Sequence, residues 1–374
     1  MDALTLSPLT VGRRVKHARD VLGLTQEAVS SALGFKDRQT LSDIENGKRA
    51  VRADELLKFS DVLDRDVEFF IDPFSVVGEA QYSWRASPSL PGEELDRFEA
   101  TADGWVGLLR WLRAQDATEH SPLGFTLRLD LNSTFEAAQQ AAELLVRKHQ
   151  LGRTPASKLV EFIEQDLDIP VLFVDTGLSS PRGYISGAAC HLPEMGVILV
   201  NRREGVARRN FDLAHELFHT LTWERMKPEH RESNSVEERQ RTRRAEQLAD
   251  NFAAALLMPR ASLDEFLGEG RATDVGRLVQ AAEQLQVSAE ALGWRLRALG
   301  RIDEPTRLEL AQYRRVDTNE TLPKLFSRDF VAQLHVALDK GRLSARKAAK
   351  TLGLSLHELT EVFEAYRLPS PFAL

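Results

Sequence analysis

Two histidines and one glutamate form the pattern with the most specific chemistry in this sequence. His215 and His219 stand four positions apart, with Glu216 between them. Positions i and i+4 of an α-helix lie on one face, so both imidazoles can bind the same zinc ion. Glu216 would then act as a general base toward a water molecule at the metal. The spacing therefore predicts a zinc site that can hydrolyse a peptide bond.

A zinc site of this kind needs a third protein ligand. A continuation with glycine at position 222 and histidine at position 225 is excluded, because Thr222 and Arg225 occupy those positions. Glu246, in a later segment of helical pattern, is the expected third ligand. Asp250 follows one turn later on the same helical face, where its carboxylate can accept the second N–H of a ligand histidine. Two histidines and a distant glutamate are the ligand set of gluzincin-type zinc endopeptidases.

The elements that must position these residues form an α/β pattern. The helical segment that carries the two histidines covers 211–222, and the later one runs to Leu257, because Pro259 disfavours a helical residue before it. Upstream, the sequence predicts helices at 132–150 and 156–166 and short strands at 171–174, 184–185 and 197–200. We therefore expect a small sheet packed against helices.

Residues 211–219 and 246–259 resemble the ImmA/IrrE family of bacterial metallopeptidases, and the strand at 196–201 fits the layout of that family. The resemblance covers about residues 132–258 and implies a zincin-like fold and a bound zinc ion. It also implies cleavage of an Xre-type repressor, which relieves repression of stress or mobile-element genes. Phe218 departs from the family, which often has glycine at this position. We expect the 196–201 strand to form the sheet edge to which a peptide substrate adds.

The first 72 residues have the pattern of a small helical bundle that binds DNA. Three short helical segments follow one another, at 11–22, 25–33 and 37–46. Thr25 and Asp37 have side chains suited to N-caps, and Gly34 suits the turn after the second segment. Arg38, Gln39 and Thr40 would project from the first turn of the third segment, where a recognition helix carries base-reading side chains. Lys48 and Arg49 follow and can bind phosphates.

Residues 25–49 resemble the Xre/Cro-type helix-turn-helix family of repressors. By that resemblance Gln26 contacts or braces the DNA backbone, while the start of the third helix enters the major groove. The implied partner is a double-stranded DNA operator, bound by a homodimer on a pseudo-palindrome. The whole chain has a formal charge of −7 at pH 7, so any positive patch must be local. Residues 1–52 carry nine Lys/Arg against six Asp/Glu.

The sequence as a whole indicates a mostly α-helical, α+β protein of four regions. We expect a helix-turn-helix bundle at 1–72, a structured connector at 73–130, a zincin-like α/β peptidase domain with a small sheet at 131–262, and an all-helical region at 263–374. The last region contains a second unit of helix-turn-helix pattern at 341–359. Its basic side chains suit either contact with DNA or packing against protein.

Composition excludes several classes of protein. The chain has 374 residues and a mean hydropathy of −0.30, and no run approaches the roughly 18 apolar residues of a membrane-spanning helix. Its first residues lack the pattern of a secretory signal. Cys190 is the only cysteine, which excludes an intramolecular disulfide and a multi-cysteine zinc ribbon. We therefore expect a cytoplasmic protein with no membrane partner.

These patterns predict a stress-response transcription regulator that carries a zinc-dependent endopeptidase. It would cleave a repressor-type protein in trans, or itself in cis within the connector. The alternative belongs to a different class: a non-proteolytic repressor or antitoxin-like regulator that uses the zinc fold as a sensor or interaction domain. The presence of Glu216 favours the enzyme, because a sensor does not need a general base.

Overall fold

The computed structural model describes residues 7–87, 89–115, 125–176, 183–230, 236–313 and 322–373, and only the backbone of 236–241. Within these ranges the chain forms seventeen α-helices and one four-stranded sheet. This confirms the expected mostly α-helical, α+β fold with a small central sheet. None of the described helices is both long enough and apolar enough to cross a membrane.

The elements follow one another along the chain in this order. The N-terminal part contains α1 (Pro8–Val21), α2 (Gln26–Leu33), α3 (Arg38–Glu45), α4 (Ala53–Leu63), α5 (Val67–Ile71), β1 (Gln81–Ala86) and α6 (Gly92–Gln115). The central part contains α7 (Phe135–Lys148), α8 (Leu159–Glu161), β2 (Val171–Val174), β3 (Ile185–Leu192), β4 (Met195–Asn201), α9 (Val206–Thr222) and α10 (Val236–Leu257). The C-terminal part contains α11 (Arg260–Leu267), α12 (Val275–Gln284), α13 (Ala289–Ala298), α14 (Glu304–Gln312), α15 (Arg328–Asp339), α16 (Ala345–Leu352) and α17 (Leu356–Ala365).

These elements divide into two compact units, each assembled from separate stretches of the chain. The first unit consists of Met1–Ala80, Gly92–Glu119 and Ala332–Leu374, and the second of Gln81–Pro91 and His120–Val331. The expected connector therefore contributes α6 to the first unit and β1 to the second. The four regions predicted from the sequence remain a prediction about functional domains. The packing of the chain instead gives the two compact units described above.

Side-chain caps start α2 and α3 at the residues that the sequence predicts. The Thr25 hydroxyl accepts the Ala28 N–H at 3.1 Å, and the Asp37 carboxylate accepts the Thr40 N–H at 3.0 Å. Gly34 ends α2 with a φ of 73°, in the left-handed region that glycine adopts without a steric penalty. The predicted turn between the two helices is thus confirmed.

Helices α1 and α3 approach each other closely at Gly12. A Cβ atom at this position would lie 2.0 Å from the carbonyl oxygen of Ile44, so a larger residue cannot occupy it without a shift of the backbone. Val15, Leu41 and Ile44 are fully buried in the hydrophobic core of the bundle. The burial of these apolar side chains stabilises the orientation of α3.

The C-terminal helices α16 and α17 form the helix-turn-helix pattern predicted at 341–359. Ser344 and Ser355 cap the two helices, and Gly353 ends α16 with a φ of 70°. Helix α16 packs against α6, where the Trp105 indole N–H donates a hydrogen bond to the Leu352 carbonyl at 3.1 Å.

The sheet has the strand order β1-β3-β4-β2. Strands β1 and β4 run antiparallel to β3, and β2 runs parallel to β4. Because β4 is paired on both sides, the prediction that the 196–201 strand forms the substrate-binding edge is wrong. Strand β1 is not among the strands predicted from the sequence. Its six residues lie in the connector, far in sequence from the other strands, and form a strand by pairing with β3.

Helices α7, α9 and α10 enclose the core of the second unit, with α9 also lying against β3 and β4. Phe218 of α9 is fully buried, and its ring centroid is 5.4 Å from that of Phe252 on α10. Packing of large apolar side chains fixes the separation of α9 and α10. The same two helices carry the predicted metal ligands.

Candidate metal centre

The predicted metal ligands meet at one point between α9 and α10. His215 and His219 lie one turn apart on α9, and Glu246 approaches them from α10. The Nε2 atoms of the two histidines are 3.1 Å apart. The carboxylate oxygens of Glu246 lie 3.0 Å from His215 Nε2 and 3.2 Å from His219 Nε2. The structure thus brings together the three side chains that the sequence assigns to zinc.

These distances suit three atoms that share one zinc ion. Bonds of about 2.0–2.1 Å in a tetrahedral arrangement place the ligand atoms about 3.3 Å apart. Beside them, Glu216 is 1% exposed, and its Oε2 atom finds no hydrogen-bond partner among the described residues. A buried carboxylate oxygen without a partner is costly, so such an atom is expected where a reactant is received. The donor set and the geometry fit a zinc centre.

Hydrogen bonds between the side chains of the centre favour their charged forms. Burial raises the pKa of Glu246, but His219 and His215 outweigh burial and hold that pKa well below its usual range. Burial and Arg85 lower the pKa of His215, yet its hydrogen bonds to Asp250 and Glu246 raise the pKa overall, to about 9. Glu246 therefore keeps its negative charge beside the two imidazoles, which favours binding of a cation.

Asp250 lies where the sequence places it, beside a ligand histidine. Its Oδ1 atom is 2.9 Å from His215 Nδ1. A carboxylate that accepts the Nδ1–H leaves Nε2 free to face the metal and fixes the orientation of the ring. The side chain of Asp250 is half exposed, at 51%.

Two charged residues beside the centre are not predicted from the sequence. Asp212 lies one turn before His215 on α9, and its side chain is fully buried. Arg85, on β1, forms an ion pair with it, with 2.8 Å between Nε and Asp212 Oδ1. The helical spacing from His215 is a signal that can identify Asp212. Arg85 has no such signal, because it is brought here by strand pairing over a long sequence separation.

The residues predicted to read DNA lie together on the first turn of α3. Arg38 and Gln39 are exposed, and Thr40 is half-buried. Gln39 donates a hydrogen bond to Asp43 at 2.8 Å, and Arg38 lies 3.6 Å from Glu27. These exposed contacts are weak enough to be exchanged for contacts with a ligand.

The remaining residues predicted to contact DNA have different surroundings. Lys48 is exposed. Arg49 donates two hydrogen bonds to the carboxylate of Glu55, at 2.6 and 3.0 Å. Gln26 donates one to Glu45 at 2.7 Å. Gln26 and Arg49 therefore brace the bundle in this structure, whereas Lys48 is available to a phosphate.

The C-terminal helix-turn-helix pattern, formed by α16 and α17, lacks a basic recognition helix. Helix α17, in the position of a recognition helix, exposes three glutamates and contains neither lysine nor arginine. Lys347 on α16 is held by Glu68 at 3.0 Å and by Asp72 at 2.9 Å. Carboxylates on the reading helix repel DNA phosphates, so this surface favours packing over contact with DNA.

Comparison with protein families agrees with both resemblances seen in the sequence. Residues 164–297 match the family model of the IrrE N-terminal-like domain, Peptidase_M78, and residues 15–70 match the helix-turn-helix family model HTH_3. The first match contains the metal centre on α9 and α10, and the second contains α2 and α3. The chain therefore joins a DNA-binding helix-turn-helix domain to an IrrE-like domain of a metallopeptidase family.

Comparisons with whole proteins add little to this assignment. No curated protein gives a significant match to the chain. A crystal structure of PlcR from Bacillus thuringiensis, in complex with the peptide PapR7 and DNA, is 12% identical in sequence. The match covers 96% of this chain and 99% of that one, with a TM-score of 0.17. A score this low carries no weight for fold or function.

Proposed function

We propose that this protein is a transcription regulator with zinc-dependent endopeptidase activity. The observation that carries the proposal is the convergence of three ligand atoms, all within 4.8 Å of one another, beside a buried carboxylate. His215, His219 and Glu246 hold the metal, and Glu216 is the general base. Asp250 orients His215 through its Nδ1–H.

The proposed reaction is hydrolysis of a peptide bond at this centre. Zinc, when bound, lowers the pKa of water and polarises a carbonyl group. Glu216 accepts the proton of the attacking water and returns it to the leaving amine. Its enclosed position keeps other water from competing for its Oε2 atom, and the hydrogen bond that His215 donates from Nδ1–H to Asp250 keeps His215 in one orientation during the reaction.

The proposed DNA interface is the exposed first turn of α3. Arg38, Gln39 and Thr40 enter the major groove, and Lys48 binds a phosphate. Arg49 must leave Glu55 before it can do the same, so we assign it a bracing role. We also propose that two copies bind a pseudo-palindromic operator, since one reading helix covers one half-site.

The proposed substrate is an Xre-type repressor cleaved in trans, or the chain itself cleaved in cis between residues 72 and 130. The resemblance to the ImmA/IrrE family supports the first route. The second is supported by the presence of a repressor-type reader on the same chain. Cleavage in the connector would break the covalent link between the helix-turn-helix region and the metal centre, and we expect it to weaken binding to the operator.

Elemental analysis tests the metal centre. We expect one zinc ion per chain in the purified protein and none in the His215→Ala/His219→Ala double variant. His191→Ala is a matched control, because it removes a histidine that stacks on Trp223 outside the ligand set. Stoichiometric zinc in the double variant would contradict the proposed ligands.

Glu216→Gln separates catalysis from metal binding, since it removes the base and leaves the ligands. We expect the variant to keep zinc and DNA binding and to lose cleavage, scored by immunoblot and an operator reporter under DNA-damage, oxidative and metal stress. Identical fragments and reporter output in wild-type and variant cells would reject the peptidase. A chain that binds zinc and DNA without cutting would then favour the sensor or antitoxin-like regulator.

Salt-dependent binding tests the DNA interface. We expect Gln39→Ala to relax sequence choice at a cost of about 1–3 kcal/mol, and Lys48→Ala to weaken all sequences alike and reduce the salt slope by about one. Lys158→Ala, an exposed lysine of the second unit, is the control for loss of charge. Full-length protein that shows no preference for any genomic sequence would contradict the regulator proposal.

A further inference from the structure

Strand β1 places a charged side chain beside the metal centre although it lies outside the matched peptidase-family region. In the antiparallel pairing of β1 with β3, Arg85 stands opposite Gly187. Gly187 lies against the general base, since a Cβ atom there would be 3.7 Å from Glu216 Cγ. Side chains of paired residues extend from the same face of a sheet, so Arg85 extends toward α9.

Arg85 lies between two carboxylates that belong to different helices. Its Nε atom is 2.8 Å from Asp212 Oδ1 on α9, and its Nη1 atom is 3.9 Å from Asp250 Oδ1 on α10. The same Asp250 oxygen lies 2.9 Å from His215 Nδ1. One guanidinium thus links the buried carboxylate of Asp212 to the carboxylate that orients a metal ligand.

The two carboxylates differ in how firmly they are held. Asp212 is fully buried and is also paired with Arg208, whose Nε atom is 2.9 Å from Asp212 Oδ2. Asp250 is half exposed, and a half-exposed carboxylate can rotate into water when nothing restrains it. Arg85 is anchored by the first and adjacent to the second, so it can restrain Asp250 on the His215 side.

We propose that Arg85 is a positioning residue of the metal centre that acts on His215 through Asp250. The inference rests on the proposed metal-binding function and adds a residue from outside the peptidase-family match. Arg85 reaches Asp250 only while β1 is paired with β3. A chain in which β1 leaves the sheet therefore loses this restraint on Asp250.

Arg85→Lys is the informative variant, because it keeps the positive charge and removes the planar fork that reaches both carboxylates. Zinc affinity of the full-length protein is measured by competition with a chelator. We expect Arg85→Lys and Asp250→Asn each to weaken zinc binding about tenfold, and the double variant to be no weaker than Asp250→Asn alone. Arg208→Lys is the matched control, because this guanidinium pairs with Asp212 and Glu204 on α9 and with Ser186 on β3. It should stay within about twofold of wild type.

A spectroscopic readout separates positioning from general loss of structure. With Co²⁺ in place of zinc, we expect Arg85→Lys to shift the visible absorption bands and Arg208→Lys to leave them unchanged, while thermal unfolding of the metal-free variants stays close to wild type. Additive losses in the double variant, or equal zinc affinity of Arg85→Lys and wild type, would overturn the inference alone. Wild-type protein that binds no zinc would overturn the proposed function as well.

Discussion

Glu216, the proposed general base, shows how burial changes the acidity of one side chain. Burial raises its pKa, because the charged carboxylate loses its hydration, while His215, His219 and Arg85 act in the opposite direction. A carboxylate with a raised pKa is a stronger base than one in water. The residue type and spacing identify Glu216 in the sequence, but its enclosure comes from the sheet that lies over α9.

Phe218 is the residue at which this chain departs from the ImmA/IrrE pattern, and it has a clear packing role. It is fully buried against Phe252 and precedes the proposed metal ligand His219. We expect Phe218→Ala to lower the free energy of unfolding by about 3–5 kcal/mol, because it leaves a cavity between α9 and α10. Urea unfolding of metal-free protein measures this. Phe218→Leu refills most of the space and should cost clearly less, so equal small losses would contradict the packing role.

Glu164 provides a prediction about pH away from the metal centre. Burial raises its pKa to about 7, although the Val171 N–H and Ser327 favour its charged form. The folded protein therefore holds this proton more tightly than the unfolded chain, whose carboxyl has a pKa of 4.5. The stabilising contribution is complete below about pH 4.5 and is lost as the pH rises through 7.

Glu164→Gln is the matched variant, because glutamine keeps the shape and cannot ionise. We expect the unfolding free energy of wild type, relative to the variant, to fall on the order of 2–3 kcal/mol between about pH 4.5 and pH 7.5. Denaturant unfolding across this range tests it. A difference that stays constant with pH would show that Glu164 titrates normally.

At the scale of elements, the helix-turn-helix bundle depends on how closely α1 and α3 approach each other. We expect Gly12→Ala to destabilise the protein by about 1–3 kcal/mol, because its Cβ atom would overlap the Ile44 carbonyl oxygen. The displacement of α3 should also weaken operator binding, measured by fluorescence anisotropy.

Gly293 on α13 is the control for this substitution. A Cβ atom there meets its nearest neighbour, the Arg307 side chain, at 3.4 Å, which is an ordinary contact. Gly293→Ala should therefore leave DNA binding unchanged and stabilise the helix by up to about 1 kcal/mol. If Gly12→Ala behaves in the same way, close approach of α1 and α3 does not position the reading helix.

At the scale of the whole molecule, each compact unit needs stretches that are distant in sequence. Helix α6 belongs to the first unit and buries Trp105, which donates its hydrogen bond to α16. Gly104 lets the helices approach, since a Cβ atom there would lie 2.7 Å from the Thr351 carbonyl oxygen. The C-terminal helices therefore complete the unit that contains the DNA reader.

Ending the chain at Val331 tests this assembly. We expect amide hydrogen exchange in α6 to accelerate by about tenfold or more, because truncation exposes the face that α16 covers. A chain that ends at Pro369 keeps α16 and α17 and should retain the protection of α6. Equal protection of α6 in both truncations would contradict a structural role for the C-terminal helices.

Features that arise from short-range spacing can be predicted from the sequence. The four-residue interval of His215 and His219 places both on one helical face, and Thr25 and Asp37 cap their helices through contacts three residues away. Glu246 and Asp250 were identified by residue type and helical phase. These features can be predicted because each depends on residues within a single turn of helix.

Strand partners and buried ion pairs are seen only in the tertiary structure. It placed β4 inside the sheet, paired β1 from the connector with β3, and brought Arg85 to Asp212 and Asp250. It also committed Arg49 to Glu55 in place of an open phosphate site. These pairings join residues that are far apart in the chain, and the hydrophobic periodicity of a single segment does not indicate its partner. Long-range packing therefore completes the proposed metal centre, of which local spacing predicts the histidine pair.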